Sequence, residues 1–397
     1  MIHEMSGEGK QYLKKNILAL STTSLLTDIS SESVYAVLPF YIQSLGYGKE
    51  VVGLVEGAGE LVASIFKYLS GFIANKIHKY KLLTLIGYSL SNFIKPFFAI
   101  TRSSLGILLI KVLDRTGKGI RTSPRDTLLA ASASSEYRGR AFGLHRALDT
   151  VGGTIGPLLA IFLLLFFGYI GVFIFSIIPG LPAILILLFF VEEVGVKKNV
   201  SKKSGLSQTG MNPYFWLFIA TVAVSGLAGY TQAYLLLRAK EIGWSEGFSI
   251  LFLVIANIVY ASLAYPIGFI SDVKGFDKLY PLVFVLQFTG SIIIVLFTYS
   301  YIAIVFFIIY GIYMAFHDTL IRIVTSFYVK RSVRAKAYGY MHGTYGLSAL
   351  IGYYILGKIY DSMGYAYAFT YSAIVAVIGF ILSLILIYKT KHVVGGI

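Results

Sequence analysis

The sequence contains no cysteine. That removes disulfide staples, thiolate metal sites and cysteine nucleophiles together. Charge is scarce as well: Asp, Glu, Lys and Arg make up 13% of the 397 residues, roughly half the share of an average soluble protein. The polar breaks are short and leave no room for a nucleic-acid-binding module. No Walker-type phosphate loop occurs, and H-E-x-x-H and G-x-S-x-G are absent too. The start, MIHEMSGEGKQYLKKN, is polar and mixed in sign, unlike a cleaved signal peptide. Insertion is therefore expected to rest on the first spanning segment.

What remains is apolar. Hydrophobic residues reach 56% and the mean hydropathy is +0.75, with runs of membrane-spanning length from end to end. The chain reads as an all-α integral membrane protein with the lipid bilayer as its setting. Thirty-four bases against 19 acids give a net charge of +15, which in a soluble protein would suggest nucleic acid. Here the bases sit mostly in short loops, as the positive-inside bias requires.

Polar breaks divide the chain into twelve predicted spans, roughly 15–42, 50–74, 82–102, 104–133, 141–165, 170–191, 213–237, 246–270, 279–299, 301–328, 337–360 and 365–388. The charged, Ser/Gly-rich stretch 192–212 bisects them, predicting an N-terminal six-helix bundle (1–191), a linker, and a C-terminal six-helix bundle (213–397). With the N-terminus inside, cytoplasmic segments hold about 20 Lys and Arg, and external loops about four (Lys49, Arg102, Arg238, Lys240). Both termini are expected in the cytoplasm, and the protein is expected to be multi-pass in the cell membrane.

The halves repeat. Gly71-Phe72-Ile73-Ala74-Asn75 recurs as Gly268-Phe269-Ile270-Ser271-Asp272, GIRTSPRDTLL (119–129) answers GIYMAFHDTLI (311–321), and RGRAFG (138–143) answers RAKAYG (334–339). Parallel repeats of this kind are common in transporters.

Ionisable residues inside a bilayer cost roughly 2.5–3.5 kcal/mol each at mid-helix and should face protein or water. The fourth span gathers Lys111, Asp114, Arg115, Lys118, Arg121, Arg125 and Asp126 within an arc of about 140°. The first gathers Ser21, Ser24, Asp28, Ser31, Glu32 and Tyr35 within about 100°. The second aligns Glu56, Glu60, Ser64 and Lys67, and the fifth aligns His145, Asp149, Gly152 and Gly156. Spans 6, 9 and 12 have essentially no charge and span 3 only Lys95, so the third helix of each triplet is expected to be a lipid-facing support. Buried ion pairs would explain any one of these residues. The whole set is better explained by a pathway for protons or a charged solute, since such pairs stabilise poorly by themselves. In the second half the interior candidates are Gln232, Asn257, His317, Asp318, Arg322 and His342, with many tyrosines whose apolar face and hydroxyl suit a partly apolar solute.

Across essentially its whole length the chain resembles the major facilitator superfamily. The loop G-F-I-A-N-K-I-H-K-Y-K (71–81) looks like the family's cytoplasmic signature with Asn75 in place of the usual acid, which its repeat keeps as Asp272. Arg115-x-x-Lys118-Gly119 resembles the arginine motif associated with proton transfer. Gly143, Gly152, Gly156 and Pro157 stand at the spacing of the drug/proton antiporter type, although Ile161 departs from the small residue expected there. Glycines at 152 and 156 allow close helix approach, and Pro157 can bend the helix where the halves meet.

The resemblance and the residues together imply a secondary transporter working by alternating access, a proton-coupled antiporter exporting a small organic solute. Asp28, Glu32, Glu56, Glu60 and Asp149 are the candidate proton carriers, with Arg115 tuning them. Lys118, Arg121, Arg125, Asp126, Gln232, His317, Asp318 and Arg322 are candidate solute contacts. Gly71, Asn75, Gly268, Asp272, Gly143, Gly152, Gly156 and Pro157 are candidate conformational and gating positions. No cofactor and no nucleic-acid partner are expected, and a monomer is. Two rivals share the fold: an organic-anion carrier using the basic face of the fourth span, and a divalent-metal carrier using acids and histidines. A membrane-embedded enzyme is the remote alternative.

Overall fold

The computed structural model describes residues 7–133, 137–194, 213–276, 278–329 and 333–394, most of them helical. In chain order the helices are α1 (Gly7–Ser44), α2 (Lys49–Ile77), α3 (Tyr80–Ile94) running into a 3₁₀ turn (Lys95–Ala99), α4 (Ser104–Ala131), α5 (Arg138–Phe175), α6 (Ile177–Phe190), α7 (Tyr214–Ala228), α8 (Gln232–Glu241), α9 (Glu246–Lys274), α10 (Leu282–Leu296), α11 (Ile302–Phe327), α12 (Arg334–Met363) and α13 (Tyr365–Val394).

These differ from the predicted spans at three places. The break expected near 166–169 is a single residue: Gly168, at φ +63° and ψ −169°, interrupts a helix that otherwise continues to Phe175. Only glycine tolerates that backbone. The predicted seventh span is broken into α7 and α8 at Gly229, whose extended backbone ends α7, while Thr231 caps α8 by accepting from the Ala233 N–H at 2.8 Å. The third span shortens, because Pro96 has no N–H to continue the α-helical ladder. Among the described residues, five helical stretches are long and apolar enough to cross a membrane: Arg140–Phe190, Tyr214–Glu241, Glu246–Ser271, Ile302–Phe327 and Tyr365–Thr390.

The chain forms two compact units, residues 1–38 with 62–199, and 39–61 with 200–397. The α1–α2 connection therefore belongs with the second unit. Of the predicted linker, 195–212 lies outside the described residues.

In the first unit helix backbones touch where side chains vanish. A Cβ on Gly117 would lie 2.6 Å from the Gly87 carbonyl, and one on Gly87 would lie 2.6 Å from the Gly117 carbonyl, which joins α3 to α4. A Cβ on Gly152 would sit 2.6 Å from the Leu25 carbonyl and one on Gly156 2.9 Å from that of Ile29, which joins α5 to α1. Hydroxyls tie α2 to α4: Ser70 donates to the Gly119 carbonyl at 3.0 Å and Ser123 to that of Lys67 at 2.7 Å. Buried Asn16 donates to Ser132 at 3.2 Å and pairs with the backbone of Glu192 in both directions. The Glu193 carboxylate accepts the first N–H groups of α3, a favourable place for an anion.

The second unit uses the same device. Gly311 of α11 faces the Ala256 carbonyl of α9, Gly352 of α12 meets the Gly226 and Leu227 carbonyls of α7, and Gly57 of α2 meets the Leu350 backbone. Lys49 pairs with Glu241 at 3.1 Å and Asp361 at 4.0 Å, and Asp361 accepts from the Glu50 N–H at 2.8 Å. Tyr360 donates to Glu241 at 2.5 Å.

Close backbone contact leaves no slack for bulk. Gly117→Leu is expected to destabilise the protein by about 1–3 kcal/mol or more, seen as a lower melting temperature in detergent. Gly343→Leu, where nothing lies within 4 Å of the added carbon, is expected to melt as the native chain does.

Candidate functional site

The ionisable faces of α1 and α4 meet in the first unit, and they form two unlike clusters. The first is closed around Asp114. Its carboxylate accepts from the hydroxyl of Tyr35 and, at 2.6 Å, from Ser91. The Tyr35 ring lies under two cations one helical turn apart, with Lys111 Nζ 3.8 Å and the Arg115 guanidinium 4.3 Å from its centre. Asp114 and Lys111 are fully buried. Each oxygen and each positive charge has a neighbour, as a buried pair requires.

The second cluster is open. Asp28 stands 4.0 Å from Arg121, an ion pair without a hydrogen bond. The Arg121 guanidinium is stacked 4.3 Å over Tyr88 and is 3% exposed, while its Nε and Nη1 have no hydrogen-bond partner among the described residues. Asp149, Lys118, Arg121 and Glu32 are the charges that act most on Asp28. Asp149 lies 3.7 Å from His145 Nε2 and 4.0 Å from Arg146. Arg125 chelates Asp126 through Nε and Nη2 at 3.0 and 2.8 Å and reaches Ser24 at 3.4 Å. Glu32 is half-buried, and Lys118 is exposed on the same helix as Arg121.

Gly152 and Gly156 create this cluster. Built Cβ atoms there would come within 3.0 Å of the Asp28 Cβ and 2.9 Å of the Glu32 Cβ. Their seam is with α1 of the same unit, where the sequence suggested a seam at the meeting of the halves. Pro157 is buried beside it. Gly143 has open space around it and takes no part in the contact.

Sequence reasoning treated α3 as a lipid-facing support, and there it missed a residue. Lys95 is fully buried and points inward, with Nζ donating to Ser31 and to Asn92 Oδ1, both at 2.9 Å. Tyr88, Ser91 and Asn92 are buried on the same helix. A lysine inside an apolar run was the signal.

The candidate acids divide between the two units. Glu56 and Glu60 belong to the second unit, half-buried, where their charges act on Tyr353 and that of Glu60 also on Tyr345. His317 is sandwiched between Tyr313 and Tyr345, with ring centres 5.6 and 5.0 Å away. Its Nδ1 faces Asp318 at 3.1 Å and its Nε2 faces Ser225 at 3.5 Å. Tyr230, Tyr310 and Tyr313 extend this aromatic run, and the Tyr345 and Tyr353 hydroxyls meet at 3.5 Å. Gln232 opens α8. Arg322 is exposed, and its carbonyl accepts from Tyr338 at 3.0 Å. Buried Gln287, which sequence reasoning passed over, has neither amide atom bonded among the described residues.

Of the signature-loop positions, a Cβ built on Gly71 would lie 3.3 Å from Ser123, Asn75 accepts from Tyr80 at 3.1 Å, and a Cβ built on Gly268 would lie 3.7 Å from Thr319. The Asp272 side chain lies outside the described residues. Among the described residues no three His, Asp or Glu side chains converge as a metal site would need.

Comparison with known proteins agrees with this architecture. The Major Facilitator Superfamily model matches residues 20–320 and 225–396. An uncharacterized transporter of this type from Methanocaldococcus jannaschii is 29% identical over 389 residues, covering 96% of this chain and 97% of that one. The quinolone resistance protein NorA of Staphylococcus aureus is 27% identical over 145 residues, 36% of this chain and 37% of NorA. The crystal structure of the nucleoside transporter NupG superposes with a TM-score of 0.75 at 16% identity, over 94% of this chain and 99% of that one. The chain belongs to the Major Facilitator Superfamily, a family of membrane transporters.

Proposed function

We propose that this protein is a proton-coupled antiporter of the cell membrane that exports a small organic solute by alternating access. On this reading it crosses the membrane twelve times as a monomer, in two six-helix halves (1–191 and 213–397), with both termini and the 192–212 linker in the cytoplasm. It needs no cofactor, and the proton is its coupling ion.

The loose pair of Asp28 and Arg121 carries this reading. At 4.0 Å the two are held close without being bonded. An ionised Asp28 would draw the free N–H groups of Arg121 toward it, and a protonated one would leave the guanidinium on the face of Tyr88. A carboxylate that trades partners as it gains a proton converts protonation into movement. Asp28 also lies on the glycine seam, so α5 and its Asp149 would follow α1. For the solute, the run of Tyr313, His317 and Tyr345 offers apolar faces beside carboxylates. Export is favoured by the helix-5 glycine spacing and by the partial likeness to a quinolone resistance protein.

The exposed Lys118 beside Arg121 favours one second reading, an organic-anion carrier. Proteoliposomes holding a pH dye separate the two: tetraphenylphosphonium added against a proton gradient should release protons, whereas salicylate should not. Proton movement with salicylate beyond that of protein-free liposomes, and none with tetraphenylphosphonium, would favour the anion carrier instead.

In the same assay Asp28→Asn is expected to abolish proton-linked flux while the protein still inserts and folds. Unchanged proton flux in that variant would remove Asp28 from the coupling. Arg121→Lys keeps the charge but loses the planar fork and the stack on Tyr88. Flux is expected to fall by about tenfold, equivalent to about 1.4 kcal/mol, with little change in melting temperature.

A further inference from the structure

Lys95 has no task in the exchange at Asp28, yet it is one of the most deeply buried ionisable groups in the molecule. It sits where α3 gives way to the 3₁₀ turn, fully buried, and its two hydrogen-bond partners are the neutral oxygens of Ser31 and Asn92. No carboxylate oxygen lies within 4.0 Å of its Nζ among the described residues. Arg125, by contrast, holds Asp126 at 2.8 Å. A buried ammonium whose countercharges lie beyond contact recovers only part of its desolvation cost.

The partners at Lys95 suit both protonation states. A serine hydroxyl accepts from an ammonium or donates to the lone pair of an amine, and an amide oxygen accepts an N–H from either. Asn92 is fixed in place, since its amide donates to Thr27 at 3.2 Å and its oxygen lies against Gly180 of α6. The charges that bear on Lys95 are Asp114 and Arg121 from α4 and Asp28 and Glu32 from α1. Helix α6 carries no titratable residue, and the 150–175 segment of α5 carries only Tyr169. Asp114 is committed to Tyr35 and Ser91, while Asp28 and Glu32 are half-buried on the face of α1 that includes Ser31.

We propose that Lys95 is a second proton-binding site of the transporter, an ammonium in one conformation and a neutral amine in the other. In the release step an N–H bond of the ammonium breaks and its electron pair stays on Nζ, where the Ser31 hydroxyl donates to it. The proton passes to water reaching Asp28 and Glu32, and the reverse step occurs in the alternate conformation. This rests on the proton-coupled reading above and adds a carrier to it.

The test uses the full chain in lipid nanodiscs, without a solute. Lysine labelled with ¹⁵N at Nζ is observed by NMR, and the Lys95 resonance is the one missing from Lys95→Met. It is expected to change from ammonium to amine well below the range of free lysine, about pH 10.4. An ammonium that persists to roughly pH 10 would overturn the proposal. The second measurement is the spin-label distance between Tyr137→Cys and Arg334→Cys at about pH 5.5 and about pH 8.5, bracketing neutrality. With no native cysteine, only these sites are labelled. The distance is expected to change with pH, and the change is expected to shrink in both Lys95→Arg, which keeps a charge that cannot be lost, and Lys95→Met, which has none. Full response in Lys95→Arg would mean a fixed structural cation and would overturn the proposal while leaving proton coupling intact. No pH response in the parent chain, with Lys95 titrating normally, would instead overturn proton coupling.

Discussion

Charge buried in an apolar bundle is the constraint on which the first unit is built. Each fully buried ionisable group there needs a partner within reach, because apolar surroundings supply neither water nor countercharge. Reach in turn depends on how closely helices approach. Gly152 and Gly156 let α5 lie against the backbone of α1, and Gly87 and Gly117 do the same for α3 and α4. Those contacts set the acids of α1 among the bases of α4 and the His145–Asp149 pair of α5. Bulkier residues at the seams would separate the charges from their partners, so here packing and electrostatics are one requirement.

The second unit meets the same constraint differently. Its ion pairs gather around Lys49, Glu241 and Asp361, with Tyr360 over Lys49 and Tyr365 over Arg238. Its interior is instead a run of aromatic rings, with His317 bonded on both nitrogens and its neighbour Asp318 half-buried. Hydroxyls and rings cost less to bury than charges and present faces to an apolar solute. The repeats therefore share helix geometry and glycine contacts while their interiors have diverged, one toward charge and the other toward aromatics.

Much of this was legible in the sequence, and what was not has identifiable causes. Periodicity placed Asp28 and Glu32 on one face of α1 and the bases on one face of α4, because a helix fixes angular position. It could not say which acid meets which base, since that depends on helix crossings. Thus the motif pointed to Arg115, while Arg121 proved to be the base beside Asp28. Glycine spacing revealed that α5 makes a close contact but not with which helix. Lys95 was discounted because a lone charge on an apolar helix looks like a support. The break at Gly229–Thr231 was hidden inside a run whose hydropathy is continuous. Glu56 and Glu60 align with Lys67 along α2, yet the helix is shared between units, and no local pattern records such a division.

On the proposed reading, the contrast between the two charge clusters is the reason one of them suits coupling. Asp114 accepts from Ser91 and Tyr35, and its neighbouring cations are stacked on the same tyrosine. Changing its charge would forfeit several contacts at once, so it serves as a fixed point. The Asp28 pair is spaced at 4.0 Å, with guanidinium N–H groups left over. Opening that pair breaks no hydrogen bond, so it has fewer contacts to lose than Asp114. A group that links protonation to movement has to sit near a balance between two arrangements, because a ligand shifts an equilibrium only by its differential affinity for the two states. On the proposed coupling, the glycine seam beneath Asp28 would give the shift a route, since α1 lies there against the backbone of α5.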